Sequence, residues 1–346
     1  MATKRTPLTK AMLSTPFTFK MRGIEFNRKP ITLSLLKTLG IRMQCLSHSL
    51  GEEWHYDVLD ALSDGDHPVW VAGTSGCGKD YLGEYLAYKL GMPLVQLSIK
   101  PQTDPNEWIG TTSLKGDGVG GTETEATRGR LAIAAAGFDP DEWEACESAL
   151  RSGIAPFIII SDIDRARDME AFRTAFEEKS RRYFTHPTTG EALPIHEDTI
   201  FYLTANSGID GDGGRGNITS QLDTSIMNRC IGVYAPPPSA SFEREILTGK
   251  FPQLDKAEIA LLVKALRSVR SLVEDLSLPY EVSLRTGNIV AKRALREKAR
   301  GKTWEESLRV AFRSVSSFCH EADNRAAIKG ALDPIIGSPS IGSAKL

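Results

Sequence analysis

"GTSGCGKD", Gly73 to Asp80, is the stretch on which the fold turns. It meets the phosphate-loop pattern G-x-x-x-x-G-K-[ST] at Gly73, Gly78 and Lys79, and departs from it at the last position, where Asp80 stands in place of a hydroxyl. In such a loop glycines let the backbone curl until its N–H groups converge on phosphate oxygens at a helix N-terminus, and the lysine reaches the outer phosphates. The competing explanation is a glycine-rich turn with a chance Gly-Lys. The flanks favour the loop. "HPVWVAG" (67–73) is a short apolar strand, and "DYLGEYLAYKLG" predicts a helix with Leu82, Tyr85, Leu86 and Leu90 along one side, stopped by Gly91. "MPLVQLSI" then reads as the next strand, which completes a βαβ unit. The candidate phosphate-binding residues are Gly73, Thr74, Ser75, Gly76, Cys77, Gly78, Lys79, Asp80 and Tyr81.

Downstream the pattern continues. "WIGTTSLKGDGVGGTETEATR" (108–128) is two polar arms around glycines, which suggests an inserted hairpin or a mobile loop, and "GRLAIAAAGF" returns to helix. "APFIIISDIDRA" (155–166) is a run of large apolar residues ending in acids, as in a parallel strand buried on both faces. "MEAFRTAFEEKSRRYF" predicts an amphipathic helix, "THPTTGEALPI" a hairpin, and "DTIFYLTANS" (198–207) another buried strand. Strands alternating with helices over 66–235 predict a parallel α/β sheet. After "APPPSAS" (235–241) the chain reads as helical, through "FEREILTGKF", "KAEIALLVKALRSVRSLVEDL", "RTGNIVAKRALREKARG" and "TWEESLRVAFRSVSSFCHEAD". The expected division is a basic region over 1–65, an α/β core over 66–238, a helical lid over 239–335 and a loose tail over 336–346. Within 1–65, "FTFKMRGIEF" suggests a short hairpin and "LSLLKTLGIRMQCLSHSL" a helix.

Composition narrows the class. With 346 residues, 41% hydrophobic and 25% charged, the chain is of ordinary globular type and long enough for two or three domains. A net charge of -2 gives no global pull toward nucleic acid or anionic membrane. Residues 1–50 are locally basic, with Glu25 their single acid, but no aromatic or glycine-rich RNA-binding signature accompanies them; a solvated arm is expected. Five widely spaced cysteines without a C-x-x-C pair fit a reduced, cytoplasmic setting rather than structural zinc. No apolar run approaches the ~18 residues of a membrane span, so no membrane role is expected.

A nucleotide hydrolase also needs acids at the end of a neighbouring strand. "IIISDIDRA" supplies them in one of two frames: Ser161 at the metal-side position with Asp162 in the catalytic place, or Asp162 on the metal side with Ile163 in the catalytic place. The first frame is preferred because Phe157 to Ile160 then fill the apolar positions. On these residues, together with "EWIGTTSLKGDG", "RGRLAIAAAG", "TANS", "SQLDTSIMNRCIGVYAPP" and "VSLRTGN" in order, the chain resembles an AAA+ ATPase of the MoxR and cobaltochelatase small-subunit group. The resemblance covers about 66–295.

That resemblance implies a P-loop NTPase core, with ATP and Mg2+ as cofactors and a ring of identical subunits, a hexamer. It implies Asn206 as the sensor holding attacking water, Arg229 as the finger reaching a neighbour's nucleotide, with Arg215 a rival, and Arg285 as the lid sensor. A strand-end turn former, or surface salt-bridge arginines, are the plainer alternatives for these residues. A von Willebrand factor A domain protein is the partner class the group implies. Both metal positions depart from the group: the loop offers carboxylate Asp80 and the strand hydroxyl Ser161, either a compensated exchange of magnesium ligands or decay of the site. Slow hydrolysis is expected. An ATP-gated scaffold without turnover, and a nucleic-acid remodeller using the basic arm, are the alternatives.

Overall fold

The structure, a computed structural model, describes residues 17–21, 24–28, 50–90, 92–100, 102–116, 122–139, 145–146, 150, 153–166, 169–206, 224–278, 280–319 and 321–337. The helix expected from "LSLLKTLGIRMQCLSHSL", and Arg215, lie outside the described residues. The chain forms two compact units, one from residues of 1–73, 79–211 and 218–235, the other from residues of 74–78 and 236–346.

In the first unit the elements run β1 (Phe17–Met21), β2 (Ile24–Arg28), α1 (Glu53–Asp64), β3 (Val69–Gly73), α2 (Lys79–Leu90), β4 (Leu94–Ser98), α3 (Asn106–Ile109), β5 (Gly110–Gly116), β6 (Thr122–Arg128) and α4 (Arg130–Ala135). They continue with β7 (Phe157–Ser161), β8 (Tyr183–Thr185), β9 (Ala192–Pro194), β10 (Ile200–Ala205), α5 (Thr224–Met227) and β11 (Ile231–Ala235). Five strands form one parallel sheet in the order β11-β3-β10-β7-β4. Parallel strands need crossovers that cover both faces, so central strands read as unbroken apolar runs. Strand β7 conforms, with Phe157 to Ile160 fully buried. The expected hairpins appear as antiparallel pairs β1–β2, β5–β6 and β8–β9.

Helix α2 lies unusually close to the sheet. A Cβ added at Gly83 would come 2.8 Å from Ile159 Cδ1 and 2.9 Å from the Tyr202 ring, so this position carries no side chain for packing reasons. The Tyr202 hydroxyl donates to the Lys79 carbonyl at 2.9 Å, which pins the first turn of the helix to β10. Ile159 and Tyr202 therefore mark the face of β7 and β10 turned to α2, and residues two further on share that face.

Two elements of this first unit differ from the sequence expectation. The amphipathic helix expected over "MEAFRTAFEEKSRRYF" is a series of short 3-10 turns, Glu170–Phe172, Thr174–Phe176 and Lys179–Arg181, leading into β8. The apolar spacing was real, for Phe172 and Phe176 are fully buried and stacked with centroids 5.6 Å apart. The backbone turns extended at Glu177, and Arg182 takes up stray carbonyls instead. Its guanidinium donates to the carbonyls of Glu177 (3.0 Å), Thr199 (3.1 Å) and Asp66 (2.5 Å). Helix α1 had no counterpart among the expectations. It buries Trp54, Val58, Leu59 and Leu62 and ends at Gly65 in the left-handed region, φ 73°.

The second unit is helical: α6 (Ala240–Lys250), α7 (Lys256–Asp275), α8 (Leu284–Lys298), α9 (Trp304–Ser316) and α10 (Ala322–Ile336). Reciprocal caps start three of them, Asp255 with Glu258, Ser283 with Thr286, and Thr303 with Glu306. Leu262, Leu266, Val290, Leu308 and Phe312 share its core. "TWEESLRVAFRSVSSFCHEAD" was expected as one helix; α9 stops at Ser316 and α10 begins at Ala322.

Replacing Gly83 with Ala tests the close packing. Helix propensity alone favours alanine by ~1 kcal/mol, whereas overpacking a filled core costs about 1–3 kcal/mol. The expected outcome is a net loss of about 1 kcal/mol in denaturant unfolding; a gain would show that α2 can lift from the sheet without cost.

Candidate functional site

Of the residues singled out by the sequence, Gly73, Lys79, Asp80, Ser161, Asp162 and Asn206 gather at the carboxyl ends of β3, β10 and β7, where an open α/β sheet places ligands. At Gly73 a Cβ would lie 2.0 Å from the carbonyl oxygen of Ala235 on neighbouring β11, so only glycine lets β3 leave the sheet at this point. Gly76 and Gly78 take φ of 71° and 106°, and α2 starts at Lys79, which presents its N-terminus to the loop.

Lys79 is 6% exposed, and its Nζ donates to the Gly73 carbonyl at 2.8 Å and to Asn206 Oδ1 at 3.3 Å. The other end of the same amide, Asn206 Nδ2, donates to Asp162 Oδ1 at 2.7 Å. The Asn206 backbone N–H is held in turn by Asp164 Oδ2 at 3.0 Å. One asparagine thus links the loop lysine to the strand-end carboxylate. Asp162 adopts the left-handed region, φ 56° and ψ 41°, immediately beyond β7, which turns its side chain away from the strand direction.

Asp80, in the first turn of α2, accepts a hydrogen bond from Thr204 Oγ1 at 2.6 Å. Leu203 of β10 pairs with Ile160 of β7, so one step further Thr204 and Ser161 are neighbours, both on the face turned to α2. Ser161 is 4% exposed, and its Oγ has no hydrogen-bond partner among the described residues. Carboxylate and hydroxyls thus share one face at the strand ends.

Burial pushes the Asp162 carboxyl above its ordinary range; Asp164 and Asp80 add to the rise, while Arg165 and the Asn206 amide oppose it. Glu84, one helical turn beyond Asp80, is likewise raised, first by burial and then by Asp80.

Arg229 lies near this unit's own acids: its Nε donates to Glu177 Oε1 at 2.7 Å and its guanidinium also to the Ser225 carbonyl. Tyr81 follows Asp80 in α2 and is half-buried.

In the second unit, Thr74 to Cys77 line a cleft of about 420 Å³ with residues of the α7–α8 connection. The Ser75 N–H donates to Glu281 Oε2 at 3.0 Å, and a Cβ on Gly76 would lie 2.7 Å from Ser283 Oγ. Arg285 opens α8, is exposed, and makes no hydrogen bond or ion pair among the described residues. Thr204, Asp164, Glu177 and Glu281 were not anticipated as participants. Thr204 and Asp164 stand inside quoted motifs, "TANS" and "DIDRA", so spacing alone could have marked them. Glu177 and Glu281 become visible only through long-range contacts.

No protein-family model matches the chain. Among curated proteins it is similar to Protein CbbQ of Hydrogenophilus thermoluteolus, at 21% identity over 207 residues. The match covers 60% of this chain and 66% of that protein, just under two thirds of its length. This similarity and the parallel-sheet core support an AAA+ ATPase at the coarse level, and the fold fits an α/β P-loop NTPase with a C-terminal helical region. Among the described residues no helix is long and apolar enough to cross a membrane.

Asp162 gives a pH prediction. Folding raises its proton affinity, so around and above its ordinary value the native state binds more protons than the unfolded chain, and stability falls as pH rises through this window. The cost stands in full above the raised pKa. Asn removes the charge, keeps an acceptor for Asn206 and tolerates the left-handed backbone. Asp162→Asn is therefore expected to raise the thermal midpoint at neutral pH, with the advantage shrinking as pH falls below the usual carboxylate range. An advantage constant with pH would locate its origin in the backbone.

Proposed function

We propose that this chain is a MoxR-like AAA+ ATPase that binds ATP with Mg2+ and hydrolyses it slowly, working in a ring of identical subunits to remodel a partner protein. The observation that carries the proposal is the Lys79–Asn206–Asp162 series of contacts at the carboxyl ends of β3, β10 and β7. A chance glycine turn has no need of a buried lysine joined through an amide to a strand-end acid.

In this proposal the backbone N–H groups of the loop and Lys79 hold the outer phosphates. Asp162 takes a proton from, or orients, the attacking water, and the Asn206 amide fixes that carboxylate against Lys79. Asp164 holds the Asn206 backbone so that the amide faces both partners. Asp is about 1.5 Å shorter in reach than Glu, and a misplacement of this order costs about 100-fold in rate. Arg285 senses the terminal phosphate, and Arg229, freed from Glu177, completes the site of an adjacent subunit.

Magnesium fits the residues present: Ser161 Oγ is a buried oxygen lacking a partner among the described residues, and Asp80 adds a carboxylate on the same face. Those two side chains would hold it, and when bound it would offset phosphate charge. A von Willebrand factor A domain protein is the proposed partner class, by analogy with the group.

A second function has specific support: an ATP-gated scaffold that scarcely turns over. Arg229 is engaged by Glu177 of its own chain, and the strand-end acid is an aspartate. Phosphate release under multiple turnover separates the two. Lys79→Ala is expected to abolish nucleotide binding and turnover together. Asp162→Asn should retain binding and lose turnover by about 100-fold or more; an unchanged rate removes Asp162 from its role, and no release from the native chain favours the scaffold.

The exchange of Asp80 and Ser161 is tested by a double-mutant cycle on Mg2+-dependent ATP affinity. Asp80→Thr and Ser161→Asp should each weaken binding, and the double variant should exceed the sum of the singles, with a coupling of about 0.5–3 kcal/mol. Simple additivity would favour decay of the metal site.

A further inference from the structure

We propose that the metal site at the start of α2 fills with a divalent cation before nucleotide arrives, so that the nucleotide-free protein carries its metal. The inference rests on the nucleotide-site proposal and deepens it by assigning the order of loading.

A loop ending in Ser or Thr offers the cation one neutral oxygen, and magnesium then depends on phosphate oxygens for most of its charge compensation. This loop ends in Asp80. Its carboxylate sits in the first turn of α2 and is oriented by the Thr204 hydroxyl at 2.6 Å. Asp162 and Asp164 stand at the same strand end, the first accepting from the Asn206 side chain at 2.7 Å and the second from its backbone N–H at 3.0 Å. Lys79 and Arg165 are the nearby cations, and Arg165 Nε stands 3.9 Å from Asp162 Oδ1.

Acids alone would not make a site. The independent observation is Ser161: a hydroxyl 4% exposed, with no hydrogen-bond partner among the described residues, on the sheet face that carries Thr204 and through it Asp80. An unmade hydrogen bond at a buried hydroxyl costs about 1–3 kcal/mol, so an oxygen held there without a partner marks a place for a ligand. Among the described residues no group of three or more His, Cys, Asp or Glu side chains could enclose a metal ion. The cation expected is therefore a hard one that takes one carboxylate and one hydroxyl and keeps several waters, as magnesium and manganese do.

The probe is Mn2+ added to the full-length, nucleotide-free protein, with free Mn2+ read by electron paramagnetic resonance and a fluorescent ATP analogue titrated in parallel. One bound Mn2+ per chain is expected. Asp80→Thr should weaken it by about 10–100-fold, the scale of losses on disturbing a metal site, and Ser161→Ala by less. Circular dichroism and the thermal midpoint check that the variants fold, and Asp80→Asn, close in size but uncharged, guards against a folding defect in the threonine variant. Mn2+ that binds the native chain and the Asp80 variants alike, or that binds only when nucleotide is present, overturns the inference. The two proposals fail separately. Nucleotide binding without prior Mn2+ binding removes only the loading order, whereas Mn2+ binding with no nucleotide binding under any condition removes the nucleotide-site proposal.

Discussion

The closeness of α2 to the sheet is the constraint from which the rest of the site follows. With no side chain at Gly83, the helix settles against Ile159 and Tyr202, and the Tyr202 hydroxyl fixes the carbonyl of Lys79. That contact sets where the first turn of the helix begins. Lys79 and Asp80 are then held over the ends of β10 and β7 rather than in solvent, close enough for Asn206 to reach the lysine and for Thr204 to reach the aspartate. A bulkier residue at 83 would move the chemistry as well as the packing.

At these strand ends charge is arranged in an unusual way. The loop carries a carboxylate, Asp80, where the phosphate-loop pattern has a hydroxyl; β7 ends in a hydroxyl, Ser161; and a second hydroxyl, Thr204, accompanies the carboxylate. The neighbouring Asp162 already resists ionisation through burial and through these acids. Local electrostatics therefore favours a cation here more strongly than a loop ending in threonine would. Proton and metal compete for the same oxygens, and the side chains that tune one tune the other.

Much of this was legible in the sequence because it depends on short-range pattern. A strand, a glycine loop and a helix are contiguous, and Phe157 to Ile160 announce a strand buried on both faces. The phosphate-loop residues, Ser161, Asp162 and Asn206 could all be placed from spacing. What escaped depends on tertiary contacts. Phe172 and Phe176 have helical spacing and are buried together, yet the backbone between them and β8 turns at Glu177 because Arg182 and the core meet its needs from elsewhere. Helix α1 was hidden by mixed polarity, since His55 and four acids share its twelve residues with the buried Trp54, Val58 and Leu59. Thr204 needed the register of β10 against β7 before its hydroxyl could be seen as part of the site.

Arg182 separates the scaffold from its chemistry. A buried cation is usually matched by a carboxylate, but this one donates its hydrogen bonds to three peptide carbonyls from segments far apart in the chain; burial lowers its proton affinity, and Asp66 and Cys230 oppose the fall. Peptide dipoles neither titrate nor release counterions. The stitching that locates the start of β3 against β8 and β10 is accordingly governed by geometry, whereas the Asp162 carboxyl answers to protons. Acidification can retune the carboxyl end of the sheet while the carbonyl contacts beneath it are unaffected.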